Sequence, residues 1–299
     1  MKYRVLGKTG LSVSMVGFGT WQFGGEWGKT FAFEEVEKLL FHAKDKGINL
    51  IDTAECYGNG VSESLIGRAL RGQRHEWVIA TKCGHSYNGL FDRTPRWSAG
   101  EVAEQLEQSL RHLETDYIDL YQLHSPKDEF FDDDALWALL GREVKAGKIR
   151  HVGISISDND NLGQTEAATR LGASAIQVVY NRLDRKPERR VFPSCIEQDL
   201  GVLARVPLAS GFLSGRFKPG EVHTFSPDEV RGRWYRPEDV ERMVTEVAKI
   251  RETEVPPGVE MSSFALAFCL RHPAVTCVIP GMTNVAQIDA NTRAADLAG

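Results

Sequence analysis

Four polar side chains stand at the ends of short apolar runs. Asp52 closes Leu50-Ile51-Asp52, and Lys82 closes Trp77-Val78-Ile79-Ala80-Thr81-Lys82. His124 follows Ile118-Asp119-Leu120-Tyr121-Gln122-Leu123, and Ser155 ends Val152-Gly153-Ile154-Ser155. Tyr57 lies a few residues past Asp52. Asp, Lys, His and Tyr converging on one place make a proton-transfer set. A lysine beside a tyrosine favours the phenolate and draws the phenol pKa down from about 10 toward neutrality. Asp52 would hold that lysine charged, so Tyr57 is expected to act as a tuned general acid for a developing alkoxide. His124 is expected to hydrogen-bond a carbonyl oxygen. There is no nucleophile elbow, no HExxH and no comparable run of metal ligands, so no metal is expected. With no redox side chain either, hydride transfer would require an organic cofactor, and no GxGxxG fingerprint is present to bind one.

The elements that must position these residues alternate along the chain. Apolar, β-branched runs are followed by stretches with apolar residues at helical spacing. The run 50–52 precedes a helix placing Leu65, Ile66, Ala69 and Leu70 on one face. The run 77–82 precedes Val102, Leu106, Ser109, Leu110 and Leu113, and 118–123 precedes Leu136, Leu139, Leu140 and Val144, stopped by Gly147. The run 152–155 leads to a helix near Asp158, and 175–180 to one near Glu188. Runs 201–206 and 276–279, a helix at 285–292, and an early strand 15–19 with helix 34–46 complete about eight βα units, the number of a TIM barrel. Residues 2–14 read as a small hairpin turning at Gly7-Lys8-Thr9-Gly10, and 211–236 as a long polar link. The expected fold is therefore α/β, a single (β/α)8 TIM barrel over residues 1–299 with a short N-terminal β-hairpin and its site at the C-terminal ends of the strands.

Composition narrows the function. The chain has 299 residues, 42% hydrophobic and 26% charged, which suits a globular core. A net charge of −5 with no basic stripe argues against nucleic-acid binding. The apolar stretch 264–270 is too short to span a bilayer, and the N-terminus lacks an apolar core behind its basic start. Five scattered cysteines without a CxxC pair suit a reducing cytoplasm.

At this point the sequence resembles a known family. Leu50-Ile51-Asp52-Thr53-Ala54-Glu55-Cys56-Tyr57-Gly58 resembles the aldo-keto reductase pattern around Asp and Tyr. Ala80-Thr81-Lys82 resembles its lysine strand, and Asp116-Tyr117-Ile118-Asp119-Leu120-Tyr121-Gln122-Leu123-His124 its histidine strand. Gly153-Ile154-Ser155, Gln177 with Tyr180-Asn181, the stretch Pro207-Leu208-Ala209-Ser210-Gly211-Phe212-Leu213-Ser214-Gly215, and Ile279-Pro280-Gly281 resemble its cofactor segments. The likeness covers essentially the whole chain and is closest to bacterial members. It implies NADPH-dependent reduction of an aldehyde or ketone, NADH not excluded, with Tyr57 as acid and Asp52, Lys82 and His124 as partners. It implies Ser155 and Gln177 at the nicotinamide carboxamide, with Thr20, Trp21 and Asp52 close by. The backbone through Pro207, Leu208, Ala209, Gly211, Leu213 and Gly215 would wrap the pyrophosphate, with Arg216 beyond. Gly281, Met282, Thr283, Gln287 and Asn291 would meet the adenosine end. Trp21, Tyr57 and His124 would touch the carbonyl substrate.

Three departures from the family pattern stand out. Arg205 occupies a position where relatives carry an aromatic residue, and a flat guanidinium there is expected to stack on the nicotinamide. No basic residue lies between 281 and 287, so Arg216, Arg233 or Arg293 would have to supply charge for a 2′-phosphate. Ile156 replaces the asparagine that often follows the serine. The aromatics Trp27, Tyr87, Phe91, Trp97 and Trp234 are candidates for the substrate pocket beside Trp21, and broad aldehyde reduction or detoxification is the expected role. Two rival readings are a nucleotide-sensing module with little turnover, since some such barrels accompany ion channels, and a metal-dependent barrel hydrolase built on Asp52 and His124, which the missing ligand run disfavours. Oligomeric state is left open.

Overall fold

A computed structural model describes residues 1–299. Strands β1 (Tyr3–Val5) and β2 (Ser12–Ser14) pair antiparallel, Arg4 opposite Val13. Then come β3 (Phe18–Gly19), β4 (Leu50–Asp52), β5 (Val78–Cys83), β6 (His85–Gly89), β7 (Asp92–Pro95), β8 (Ile118–His124), β9 (Ile149–Ser155), β10 (Ala173–Val179), β11 (Gly201–Arg205) and β12 (Cys277–Val278). Eight of them form one parallel sheet in the order β12-β11-β10-β9-β8-β5-β4-β3. The two edges meet. Val16 bridges Val278 and Gly19 bridges Gly281, both in parallel, and the Gly17 amide donates to the Val278 carbonyl at 2.8 Å. The sheet is thus a closed (β/α)8 barrel with helices outside.

Side chains alternate across a strand, so residues two apart share a face. Leu50, Ala80, Leu120, Ala175, Leu203 and Cys277 form one buried cluster inside the ring, to which the hairpin adds Leu6 and Val13. Two residues further along the same strands stand Asp52, Lys82, Gln122, Gln177 and Arg205. The barrel interior is therefore an apolar floor beneath a polar layer. A second, larger apolar layer packs the outer strand faces against the helices, including Leu106, Leu110, Leu136, Leu140 and Leu266. No helix is long and apolar enough to cross a membrane.

Several elements differ from the sequence reading. The helix placed near Asp158 begins at Leu162, where the Asn161 side chain accepts from the Gln164 amide and sets the start. The one near Glu188 is a short 3-10 turn, Lys186–Arg189, followed by Val191–Glu197. The link 211–236 starts inside a 3-10 segment, Ala209–Ser214, and ends in the helix Val230–Trp234. Beyond it, Pro237–Glu254 is a full helix whose Val240, Val244, Val247 and Ile250 pack with Phe212, Leu213 and the helix Met261–Arg271. The β6–β7 hairpin, unread in the sequence, interrupts the unit between β5 and its helix Ala99–His112. That helix starts with a capping box of Ser98 and Glu101. Asp133 caps Asp134–Lys145, accepting from the Ala135 and Leu136 amides at 3.0 and 3.1 Å.

Candidate active site

The four strand-end residues meet at the mouth of the barrel. Lys82 Nζ, fully buried, donates to Asp52 Oδ2 at 2.8 Å, to the Thr53 carbonyl at 2.7 Å and to Tyr57 Oη at 3.1 Å. Asp52 Oδ1 accepts from Gln177 Nε2 at 2.7 Å and Gln122 Nε2 at 3.3 Å. The carboxylate is thus held from both sides. His124 lies edge-on to Tyr57, ring centroids 6.0 Å apart, with its Nδ1 3.6 Å from Cys56 Sγ. Tyr57 owes its place to a tight turn after β4. Gly58 sits there at φ 65°, and a β-carbon on it would lie 2.7 Å from the Gly24 carbonyl oxygen. Any side chain at Gly58 would push this turn off the loop that carries Trp21.

Burial sets the protonation states. It pushes Tyr57 up to about 12, more than the Lys82 charge pulls it down. The expected descent toward neutrality does not occur, because desolvating the phenolate outweighs one neighbouring ammonium. Tyr57 is a protonated phenol at neutral pH. Burial also opposes the Lys82 charge, but Asp52 and Tyr57 overcome it and hold the ammonium above the usual lysine range. His124 is driven well below the usual imidazole range, first by burial and then by Lys82. Its ring is neutral, with one N–H to give. The Cys56 thiol is held protonated by burial. An S–H donating to Nδ1 leaves the imidazole proton on Nε2.

Supporting residues escaped the sequence reading. Gln122 is one, a polar residue inside an apolar run. Thr20, expected at the cofactor, gives its hydroxyl to the Asp52 carbonyl at 2.9 Å and is joined by Ser62 Oγ to Thr53. This web fixes the β3 and β4 ends rather than presenting a free hydroxyl.

The remaining residues expected at a cofactor fall on the ends of β9 and β10, on the chain after β11 and on the chain after β12. Ser155 is fully buried, paired in register with Gln177, and its hydroxyl has no hydrogen-bond partner. Asn291 is likewise buried with an unpartnered side-chain amide nitrogen. The chain after β11 runs through an unusual string of left-handed residues: Val206 at φ 53°, Ala209 at 47°, Ser210 at 56° and Gly211 at 91°. Such positions are costly for residues with a β-carbon, for Val206 above all, and successive amides in such a bend form an anion-binding concavity. Asn181 Nδ2 steadies the bend by donating to the Val206 carbonyl at 3.1 Å. Pro207 is buried inside it and Leu208 and Gly215 flank it. Leu213 and Met282 have fully buried side chains, so only their backbones can meet a ligand. Thr283 and Gln287 bond each other at 2.7 and 3.1 Å. Gly281 is covered by Gln22, whose amide a β-carbon would strike. The candidate cations divide: Arg293 pairs with Glu260 at 2.8 Å and Arg233 lies over Phe91, whereas exposed Arg216 makes no ion pair. Arg205 ends β11 within electrostatic reach of Tyr57 and Asp52, its Nε unpartnered.

An aromatic wall closes one side. Trp21 stacks on Tyr57 at 6.1 Å and meets Trp27 edge-on at 5.2 Å and exposed Trp234 at 5.3 Å. Its indole N–H donates to Glu26, a fully buried carboxylate that also takes both bonds from Arg93. Trp97 is buried on the opposite side against His85 and Phe130.

The orphaned Ser155 hydroxyl, the orphaned Asn291 amide and the amide-rich bend suit a ligand with a carboxamide at one end and phosphates in its middle. Comparison with known proteins identifies a family. A model of the aldo/keto reductase family matches residues 15–298. The aldo-keto reductase YhdN of Bacillus subtilis is 32% identical over 97% of this chain and 87% of its own. An NADH-specific methylglyoxal reductase of Escherichia coli is 29% identical over 99% and 94%. The holo form of the aldo-keto reductase AKR11C1 from Bacillus halodurans superposes with a TM-score of 0.82 at 31% identity, covering 99% of this chain and 91% of that one.

Proposed function

The chain belongs to the aldo/keto reductase family, an oxidoreductase with a nicotinamide cofactor and a small carbonyl substrate, and from that premise we propose that it reduces aldehydes and ketones with NADPH, using Tyr57 as the general acid. The observation that carries the reading is the three-way contact of Lys82 with Asp52, Thr53 and Tyr57 at 2.8, 2.7 and 3.1 Å. When bound, the reduced cofactor supplies the hydride. Ser155 and Gln177 would hold its carboxamide, and the bend from Pro207 to Gly215 its phosphates.

The protein supplies everything else. A substrate oxygen lodged between Tyr57 Oη and His124 Nε2 meets two neutral donors. Neutrality suits them, because a hydrogen bond to an oxygen gaining negative charge strengthens as the charge forms. Tyr57 then passes its proton to that oxygen, and Lys82 stabilises the phenolate left behind at 3.1 Å. Asp52 keeps Lys82 charged and aimed. Cys56 fixes the His124 tautomer. Arg205 extends flat beside the nicotinamide position in this reading, and Trp21, Trp27 and Trp234 give the substrate an apolar wall without selective polar groups. That wall fits broad acceptance of aldehydes and a detoxifying role. Five buried free cysteines fit a reducing cytoplasm.

Loss of reduced-nicotinamide absorbance with a panel of aldehydes tests the reading. Tyr57→Phe should lower kcat by about a thousandfold, the range for removing a positioned acid, with NADPH still bound. Wild-type protein that binds NADPH tightly but turns over no carbonyl would sink it. Residues 281–287, which in this reading meet the adenosine end, carry no charge. NADPH should therefore exceed NADH in kcat/KM by no more than about tenfold, the worth of one or two neutral hydrogen bonds. A preference of three orders of magnitude would reveal a dedicated cation.

A further inference from the structure

A second constellation shares His124. Glu55 and Cys56 on the turn after β4, His85 at the start of β6 and His124 at the end of β8 each bring one ligating atom within 4.8 Å of the others. Cys56 Sγ is 3.6 Å from His124 Nδ1, and His85 Nδ1 is 3.9 Å from Glu55 Oε1. In a tetrahedral zinc site, with metal–sulfur bonds near 2.3 Å and metal–nitrogen or metal–oxygen bonds near 2.1 Å, neighbouring donors fall roughly 3.4–3.6 Å apart. The Cys–His pair already has that spacing, and the others need to close by about an ångström.

Two of the four residues carry an atom with no partner in the protein, although Glu55 Oε1 accepts from the His85 amide at 3.0 Å. Glu55 Oε2 and His85 Nδ1 are buried without a hydrogen-bond partner, and the Glu55 side chain is only 8% exposed. Leaving a carboxylate oxygen and an imidazole nitrogen buried and unmatched is costly, and a shared cation would satisfy both. The balance of charge permits one. Lys82, Arg93 and Arg205 face His124, but a thiolate and a carboxylate together cancel a divalent ion, so the loaded site adds no net charge beside them. A thiolate with two imidazoles and one carboxylate selects zinc over magnesium or calcium.

We propose that Glu55, Cys56, His85 and His124 form a site for a zinc-class divalent cation. On binding, the Cys56 thiol and the Glu55 carboxyl, which burial keeps protonated, each release a proton to solvent and become ligands. Closing the remaining gap to Glu55 and His85 pulls His124 from its place beside Tyr57. A shift of about an ångström there is enough to slow turnover a hundredfold. The site would act as a brake on the reductase. Binding itself does not rest on the reductase reading; only the brake does.

Cobalt(II), which gives thiolate ligands a near-ultraviolet charge-transfer band, tests the proposal on the full chain after chelator treatment. One cobalt per chain should bind with that band, and zinc should displace it. Cys56→Ser should lose the band. His85→Asn should bind cobalt at least about tenfold more weakly, as expected for a lost ligand. Zinc should slow wild-type carbonyl reduction and a chelator should restore it. Absence of the band, or equal cobalt affinity in wild type and both variants, overturns the site; full turnover by zinc-loaded enzyme overturns the brake. The band needs no turnover, so it remains readable even where carbonyl reduction fails.

Discussion

The two ends of the barrel are built from the same strands and obey opposite rules. At the floor, Leu50, Ala80, Leu120, Ala175, Leu203 and Cys277 close around Leu6 and Val13 of the hairpin. Gly201 packs so tightly under Leu6 that a β-carbon on it would lie 2.5 Å from the leucine side chain. Two residues up, the strands carry the buried Lys82–Asp52 pair, and the loops around it add buried Glu26 paired with Arg93; orphaned polar atoms stand on Ser155, Glu55 and His85. The floor leaves nothing unsatisfied, whereas the mouth is unsatisfied by design of its chemistry. One strand thus carries stability and reactivity in adjacent layers, and a substitution should affect one or the other according to its height along the strand.

The sharpest way to break this division is Lys82→Met. It should abolish turnover and also destabilise the fold by about 3–5 kcal/mol, because Asp52 is left buried without its counter-charge. Adding Asp52→Asn should return most of that stability and none of the activity. Chemical denaturation of the single and double variants reads the difference, and equal stability of Lys82→Met and wild type would show the pair to be less buried than it stands here. Next in size, Leu6→Ala should cost about 2–5 kcal/mol by opening a cavity in the floor, yet leave kcat per folded molecule unchanged. A matching loss of kcat would mean that the two layers are coupled. Smallest is Ser155→Ala. Removing an unpartnered buried hydroxyl should leave the stability of the free protein within about 0.5 kcal/mol while weakening NADPH about three- to tenfold. A clear loss of stability without any change in cofactor affinity would assign the hydroxyl to the scaffold.

The sequence revealed the mouth better than the regions around it. Asp52, Lys82 and His124 were visible because a charged or ionisable residue ending a β-branched run is conspicuous, and the barrel rule then places all three on one rim. Gln122 was hidden because a neutral amide inside an apolar run carries no chemical signal, although its parity with Leu120 points it inward. The Glu55–Cys56–His85–His124 cluster was hidden because two turns and a strand start supply it, and only the fold brings them together. The β6–β7 hairpin lacks the alternation that marks a strand. The helix Pro237–Glu254 does show apolar residues at helical spacing, Val240, Val244, Val247 and Ile250, and was overlooked beside the more conspicuous link before it. The Tyr57 pKa went the wrong way for a different reason: sequence lists neighbours but not how much water they exclude.

The hairpin has one more effect. By stopping the lower end with Leu6 and Val13, it makes the barrel a vessel with a single doorway. Whatever reaches Tyr57 must come and go by the open upper end, where Trp21 stands against it. Two reactants that share one doorway cannot ignore each other's passage, so the order in which they arrive and the delay before the last one leaves are decided at that threshold alone.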